Sequence, residues 1–216
     1  MDRTENHEKL ITLMADLQED AVLDLVQQQL AEGVDPLAIV DSCHKGMIKV
    51  GERYEQGRYY ISGLIMAGEI MRQVGQLVFP LLEGKMTNGN SGSIVLGTVE
   101  GDIHFIGKDI FKVLVRGYGF TVHDLGVDVP ASKFLAAIHE LKPDIVGLSC
   151  LISAAFRSMR ETLTFLKQNV PEKMLPRAYI IGGRVDELIC KEVGSDYWTN
   201  DGIKGVRLCQ KIMAGN

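Results

Sequence analysis

A seven-residue stretch centred on one histidine is the part of this chain best suited to metal chemistry. Gly101-Asp102-Ile103-His104-Phe105-Ile106-Gly107 has the form DxHxxG. The imidazole of His104 can offer one ring nitrogen to a metal, and a carboxylate two residues earlier can accept a hydrogen bond from the other nitrogen and fix the tautomer. Gly107 would let the chain turn into a helix while a bulky ligand approaches. A motif with only three fixed residues recurs by chance in many proteins, so His104 could instead be a hydrogen-bonded loop histidine that binds no metal. If another histidine is the ligand, His123 is the best rival.

Small and polar residues also follow three later apolar runs. Gly147-Leu148-Ser149-Cys150-Leu151-Ile152-Ser153 places two hydroxyls where they can bind polar atoms of a ligand, or cap a helix that begins near Ala155. Gly182-Gly183 permits close approach of a ligand to the backbone, or makes an ordinary tight turn. Asn200-Asp201 either lines the same crevice or caps the last helix. Each of these motifs is ambiguous when it is taken alone.

The elements that must position these motifs are strands and helices in alternation. Strands are predicted over 94–99, 120–125, 144–149, 178–181 and 196–199, and helices near 108–116, 131–140, 155–167, 186–192 and 203–213. Five βα units with near-continuous apolar strands indicate a parallel sheet that is covered on both faces, a flavodoxin-like or Rossmann-type fold. In the strand order 2-1-3-4-5, strands 1 and 3 are neighbours, and ligands bind beyond their carboxyl ends. The motifs are therefore expected to meet in one crevice.

The first 84 residues have a different, helical pattern. Leu10, Leu13, Met14 and Leu17 follow the spacing of one buried helix face, and three more helices follow with short connections. Apolar positions of the third helix include Ile48, and the inner stripe of the fourth includes Leu64, Ile65, Met71, Val74 and Val78. We therefore predict an α + α/β chain, with a four-helix bundle over 1–84, a glycine-rich linker over 85–92 and the sheet domain over 93–216.

The order and spacing of the three motifs resemble one family. DxHxxG, then SxL about 40 residues later, then GG, each after a strand, is similar to the cobalamin-binding domain of methionine synthase and of the small corrinoid proteins of methyltransferase systems. Val50-Gly51-Glu52-Arg53-Tyr54-Glu55-Gln56-Gly57-Arg58-Tyr59-Tyr60 resembles the signature of that family's helical cap. The resemblance covers nearly the whole chain.

The resemblance implies a cofactor site made of residues from both halves. His104 would ligate cobalt from below in place of the vitamin's own base, with Asp102 orienting it. The cofactor's nucleotide tail would enter the sheet domain beside residues from the motifs, and Gly101, Ile103, Phe105 and Gly107 would complete the binding loop. The tail residues are Ser149, Leu151, Ser153, Gly182 and Gly183, with Asn200 or Asp201 at the far end. Tyr54 and Ile61 would cover the upper face of the corrin.

Two departures from the family pattern bear on the chemistry. In methionine synthase a hydroxyl residue extends the histidine–aspartate pair, whereas the matching position here is Ala155. The cap position that usually holds phenylalanine is Tyr54, which adds a phenol near the reactive face. Any proton relay to His104 is therefore expected to end differently or to be weaker.

The function implied by the resemblance is that of a methyl carrier. It would hold cobalamin and exchange methyl groups with a substrate-specific methyltransferase and an acceptor methyltransferase, with a reductive activase as a further partner and no catalysis by the chain alone. The alternatives are a cobalamin-dependent sensor and the small subunit of a carbon-skeleton mutase. A net charge of −5 argues against a nucleic-acid surface. No apolar run reaches the roughly 20 residues of a membrane span, and four widely spaced cysteines fit a reducing cytoplasm.

Overall fold

The chain is divided into two compact units. The computed structural model describes residues 3–83 and 91–215, and its contacts separate Met1–Lys85 from Met86–Asn216. The expected linker over 85–92 lies outside the described residues, apart from Ser91 and Gly92. Within the described ranges, no helix is long and apolar enough to cross a membrane.

The first unit contains the four predicted helices. They are α1 (Arg3–Ala15), α2 (Glu19–Ala31), α3 (Pro36–Glu55) and α4 (Ile61–Glu83). After α2, Gly33 adopts a φ of +76°, a left-handed conformation that suits the end of a helix. The side chain of Asp35 then accepts a hydrogen bond from the Leu37 amide at 3.2 Å, and Pro36 occupies the first turn. Local sequence signals thus set where α2 ends and α3 begins.

Ile65, which was expected in the inner stripe of the fourth helix, is instead on the surface, and so is the apolar residue Ile48 of the third helix. Ile48 is 51% exposed and Ile65 is 69% exposed. Successive residues on a helix are separated by about 100°, so a residue two positions from a buried one lies almost on the opposite face. Ile48 is two residues from buried Gly46, and Ile65 is two residues from buried Ala67. The buried face expected for the first helix includes Leu17. However, α1 ends at Ala15, and Leu17 has a φ of +56°.

The second unit is a five-stranded parallel sheet with helices on both faces, as predicted. The strand order is β2-β1-β3-β4-β5. The strands are β1 (Ser93–Thr98), β2 (Thr121–Asp124), β3 (Ile145–Cys150), β4 (Ala178–Gly183) and β5 (Tyr197–Thr199). The helices are α5 (Ile106–Gly117), α6 (Ala131–Leu141), α7 (Phe156–Asn169), α8 (Glu187–Val193) and α9 (Gly202–Met213). Short 3₁₀ turns occupy Ser153–Ala155 and Glu172–Met174, so α7 begins at Phe156, one residue later than expected.

Alternation along the strands divides the core into two layers. Val95, Val146 and Ile181 are buried with residues of α6, α7 and α8, whereas Ile94 and Ile180 are buried with residues of α5 and α9. Side chains of a strand point alternately to the two faces, and each fully buried residue of this kind stabilises the fold by roughly 1.5–3 kcal/mol. Because helices cover both faces, the carboxyl edge of the sheet is where a large ligand can enter.

Candidate functional site

His104 lies in the loop between β1 and α5, paired with a buried carboxylate. Its Nδ1 is 2.6 Å from Oδ1 of Asp102, whose side chain has no exposed surface, while the His104 side chain is 48% exposed. A carboxylate accepts hydrogen bonds, so Nδ1 carries the proton that is donated. Nε2 is then the ring nitrogen with a free lone pair for a metal. The pair has the arrangement expected of a histidine ligand oriented by a second residue.

Asp102 accepts hydrogen bonds from backbone groups as well as from the imidazole. The His104 amide donates to Oδ1 at 3.0 Å, and the Leu151 amide donates to Oδ2 at 2.6 Å. Burial by itself would raise the pKa of this carboxyl, but the Leu151 and His104 amides, followed by the imidazole, outweigh it and hold the pKa below its ordinary value. Asp102 therefore stays ionised and keeps the imidazole in one tautomer.

The register of the sheet brings the motifs to one edge. Thr98 of β1 pairs with Ser149 of β3, and Ser149 pairs with Gly182 of β4. One residue further, Cys150 pairs with Gly183. The hydroxyl of Ser149 and the two glycines are therefore within two strands of the loop that carries His104, although they are far apart in sequence.

A cavity of about 240 Å³ opens at this edge. Six of the residues expected to bind the cofactor line it: Gly107, Ser149, Gly182, Gly183, Asn200 and Asp201. The other lining residues are Leu96, Lys108, Ile110, Phe111, Gly147, Leu148, Ile180, Thr199 and Gly202, which sequence reasoning did not assign to the site. Most of them lie in strands or helices, where their residue types are those of an ordinary core. Only their position at the carboxyl edge of the sheet shows that they line the cavity. The cavity is largely apolar, and Ser149, Asn200 and Asp201 add polar groups to its lining, which suits an aromatic base joined to a polar linker.

Seven of the expected cofactor residues lie outside this lining. They are Gly101, Asp102, Ile103, His104 and Phe105 of the loop, together with Leu151 and Ser153 after β3. Ile103 is 70% exposed and Leu151 is 43% exposed. Asp102 acts through its hydrogen bonds, and the exposed apolar side chains are available to an apolar ligand that rests on the edge of the sheet.

Two of the three glycines expected to admit the cofactor, Gly183 and Gly107, have different surroundings. A Cβ on Gly183, whose φ is +107°, would collide with the carbonyl oxygen of Cys150. Gly183 is thus required by the packing of β4 against β3. A Cβ on Gly107 would meet nothing within 4 Å, and the residue lines the cavity. Packing therefore does not require a glycine at position 107, where the missing side chain leaves space for a ligand.

The structure also shows whether Asp201 and Ser153 cap a helix. Oδ1 of Asp201 accepts from the Lys204 amide at 2.8 Å, so Asp201 caps α9 and lines the cavity at the same time. Ser153 makes no side-chain cap at the start of its 3₁₀ turn or of α7. Its exposed hydroxyl is therefore available at the edge of the sheet. Ala155 is buried and provides no polar group.

A partly buried ion cluster, centred on the buried Lys108, borders the cavity. Nζ of Lys108 lies 2.7 Å from Asp109 and 2.7 Å from both carboxylate oxygens of Asp124, and Lys112 joins the same two carboxylates at 3.3 and 3.0 Å. Burial raises the pKa of Asp124, but hydrogen bonds from Lys108, the Gly126 amide and Lys112 outweigh it and hold that pKa below its ordinary value. The three donors of Lys108 are committed to these carboxylates, so its charge is balanced within the protein.

The remaining predicted site residues are His123, Tyr54 and Ile61. His123 lies in β2, where it pairs with Val95 of β1, and it is half-buried. Tyr54 near the end of α3 and Ile61 at the start of α4 belong to the first unit and are 42% and 66% exposed. Among residues 3–83 and 91–215, no three His, Cys, Asp or Glu side chains form a metal-binding group.

Comparison with known proteins identifies the family. Residues 92–187 match the family model of the B12 binding domain, and residues 7–76 match a second model with the same description. A corrinoid protein of Desulfitobacterium hafniense is 34% identical over 215 residues, which cover 95% of this chain and 96% of that relative. This chain belongs to the corrinoid protein family. Its cofactor is accordingly cobalamin or a related corrinoid.

Solved structures show the same fold as this corrinoid protein. The monomethylamine corrinoid protein of Methanosarcina barkeri matches with a TM-score of 0.86 and 22% identity, over 98% of this chain and 100% of that one. The methanol:cobalamin methyltransferase complex of the same organism matches with a TM-score of 0.55 and 24% identity, over 100% of this chain and 82% of the matched chain. At these identities the likeness concerns the fold. It agrees with four helices followed by a parallel five-stranded sheet.

Proposed function

We propose that this corrinoid protein carries a methyl group on cobalt between two methyltransferases, with His104 as the lower axial ligand. The observation that carries the proposal is the His104–Asp102 pair, in which one ring nitrogen is held and the other is left for a metal. The matched chain of the methanol:cobalamin methyltransferase complex has the same fold, and by analogy with it a methyltransferase is the proposed partner. When it is bound, the corrinoid supplies a cobalt atom that can accept and release a methyl group.

The protein's own residues orient this cofactor. Asp102 holds the tautomer of His104, and its three accepted hydrogen bonds limit how far the imidazole can turn. The cavity between Ser149, Gly182 and Asp201 receives the nucleotide tail, because it is the space at the carboxyl edge beside the His104 loop. Leu151 and Ser153 contact the cofactor nearer the surface.

The helical unit is proposed to act as a cap that shields the upper face of the corrin. Ile61 and Ile65 are four residues apart on α4, so they share one face of the helix, and both are exposed. An exposed apolar face of this kind suits contact with an apolar ligand surface. In this proposal the cap is residues 1–84, the linker is 85–92 and the cofactor domain is 93–216.

The proposed location is the cytoplasm, with a reductive activase as a further partner. Cys43, Cys150, Cys190 and Cys209 are free and buried, which is the state expected in a reducing compartment. A cobalt carrier whose metal must be strongly reduced before methylation needs a reducing partner whenever oxidation occurs.

The ligand assignment is tested by electron paramagnetic resonance of the Co(II) form. With 15N-labelled histidine, wild-type protein should show a superhyperfine coupling from one histidine nitrogen, and His104→Ala should lose it. His139→Ala is a matched control, because His139 is exposed on α6. A coupling that survives in His104→Ala would show that another residue ligates the cobalt.

A further inference from the structure

Residues outside the DxHxxG motif hold the loop that carries His104. The hydroxyl of Thr98, at the end of β1, donates to the carbonyl oxygen of His104 at 2.9 Å, and Thr98 is completely buried. This bond fixes the far end of the loop to the sheet. The near end, around Gly101, is exposed and needs a separate anchor.

Asp128 provides that anchor from the segment between β2 and α6. Its backbone amide donates to the carbonyl oxygen of Asp102 at 2.9 Å, and its Oδ1 accepts from the amide of Gly101 at 2.7 Å. A single residue therefore holds both ends of the Gly101–Asp102 dipeptide. The next residue, Val129, bridges to Val99, which fixes Asp128 relative to β1.

The backbone of Asp128 is itself strained. Its φ is +52°, a left-handed conformation that is uncommon for residues other than glycine and that aspartate and asparagine tolerate best. Among the described residues, Leu17 and Lys142 also have a positive φ without being glycine, and neither bonds the His104 loop. Strain of this kind persists only where surrounding contacts impose it. For Asp128 those contacts are its hydrogen bonds with Gly101 and Asp102.

We propose that Asp128 is a positioning residue, which keeps the Asp102 carboxylate aligned with both His104 and the Leu151 amide. The inference rests on the proposed function. Gly101 has a φ of +84°, and a Cβ built on it would meet nothing within 4 Å, so packing does little to restrain this part of the loop. Without the Asp128 bonds, the dipeptide keeps one backbone hydrogen bond, from the Asp102 amide to the carbonyl oxygen of Val99 at 3.1 Å, and can rotate about it. Rotation moves the carboxylate away from Nδ1 of His104, and the imidazole loses its fixed tautomer.

Two substitutions test the side-chain bond of Asp128 without adding backbone strain. Asp128→Gly relieves the strain of a positive φ and removes the acceptor for Gly101. Asp128→Asn keeps an acceptor oxygen and tolerates the same backbone conformation, while it removes the charge. Lys142→Gly is the matched control, since Lys142 is an exposed residue with a φ of +45° at the end of α6, away from the loop.

The first measurement uses the protein without cofactor, so it is independent of cobalt ligation. Amide hydrogen exchange at Gly101 and His104, followed by NMR, should become about fivefold faster in Asp128→Gly, as expected when a backbone hydrogen bond of ordinary strength is lost. Asp128→Asn and Lys142→Gly should exchange like wild type. Unchanged exchange in Asp128→Gly would overturn the inference.

The second measurement asks whether loop position affects ligation. In the Co(II) form, Asp128→Gly should raise the fraction of protein without histidine coupling by about threefold, and Asp128→Asn should restore the wild-type spectrum. Equal spectra for Asp128→Gly and wild type, or equal losses in the glycine and asparagine variants, would refute a positioning role for the Oδ1 bond. Absence of the coupling in wild type would instead refute the proposed ligation by His104, and the exchange measurement would still decide the anchor.

Discussion

At the scale of single residues, the site depends on where a side chain is missing as much as on where one is present. Gly107 and Gly183 both line the cavity, yet they differ in what surrounds them. The space beside Gly107 is open, whereas Gly183 lies against the backbone of Cys150. The two glycines should therefore respond in opposite ways to the same substitution.

We predict that Gly107→Ala weakens corrinoid binding about tenfold without destabilising the protein, because the methyl group enters the cavity and alanine favours the first turn of α5. Gly183→Ala should lower the free energy of unfolding of the second unit by at least about 2 kcal/mol, because of the clash and the positive φ. Trp198 is the one tryptophan of the chain and lies in β5, so its fluorescence in denaturant reports on this unit. Equal stabilities of the two variants would contradict the distinction.

At the scale of elements, the ion cluster joins the start of α5 to the end of β2. Lys108 and Lys112 project from α5 toward Asp124, the last residue of β2. The cluster fixes the helix that follows the His104 loop and that forms one wall of the cavity. Removal of one carboxylate leaves a buried ammonium with fewer partners, which is costly.

Asp124→Asn should therefore lower the free energy of unfolding at pH 7 by about 1–3 kcal/mol. The pKa of Asp124 is held below its ordinary value of 3.8, so its ionised form is the one that stabilises the fold. This stabilisation is fully present above pH 3.8 and is lost as the pH falls through the depressed pKa. Denaturant titrations followed by Trp198 fluorescence should show wild type and variant converging below about pH 4.

Glu161→Gln is a suitable control for this variant, because Glu161 pairs with Arg157 on the exposed surface of α7. Surface pairs of this type contribute about 0–1 kcal/mol. A difference between Asp124→Asn and wild type that stays constant from pH 7 to pH 3 would argue against a stabilising carboxylate at position 124.

At the scale of the whole molecule, the chain combines two units that bury separate cores. The sheet unit contains the His104 loop, the cavity and the ion cluster, so it holds the contacts proposed for the lower face and the tail of the cofactor. The helical unit contributes exposed apolar residues, among them Tyr54 and Ile61. Binding and protection of the cofactor are thus expected to be separable.

We predict that a fragment beginning at Thr87 still binds cobalamin, because its tail cavity and His104 are complete. Its reduced cobalt should be oxidised by air several times faster than in the full chain, since no cap covers the upper face. The measurement is the decay of the absorbance of the reduced form after exposure to a limited amount of oxygen. Equal lifetimes in fragment and full chain would show that the helical unit does not shield the cofactor.

Local patterns were sufficient to predict most of the fold. The helix and strand periods, the Asp35-Pro36 start of α3 and the order of the five strands all follow from neighbouring residues and general packing rules. The exposed Ile65, which was expected in an inner stripe, shows the limit of this method. Its apolar character suggested a buried position, whereas the small residues Gly63 and Ala67, two positions away on either side, occupy the buried face.

The sequence by itself was sufficient to predict the pairing of His104 with Asp102 and the family to which the chain belongs. The reason is that the DxHxxG, SxL and GG motifs are local and follow one another in a fixed order. Only the tertiary structure decided how Asp102 is held. Its bond from Leu151 spans 49 positions, and the bonds to Asp128 span 26 and 27. Contacts between residues this far apart depend on strand register and loop closure. No local pattern of residue types specifies which distant amide reaches a given carboxylate.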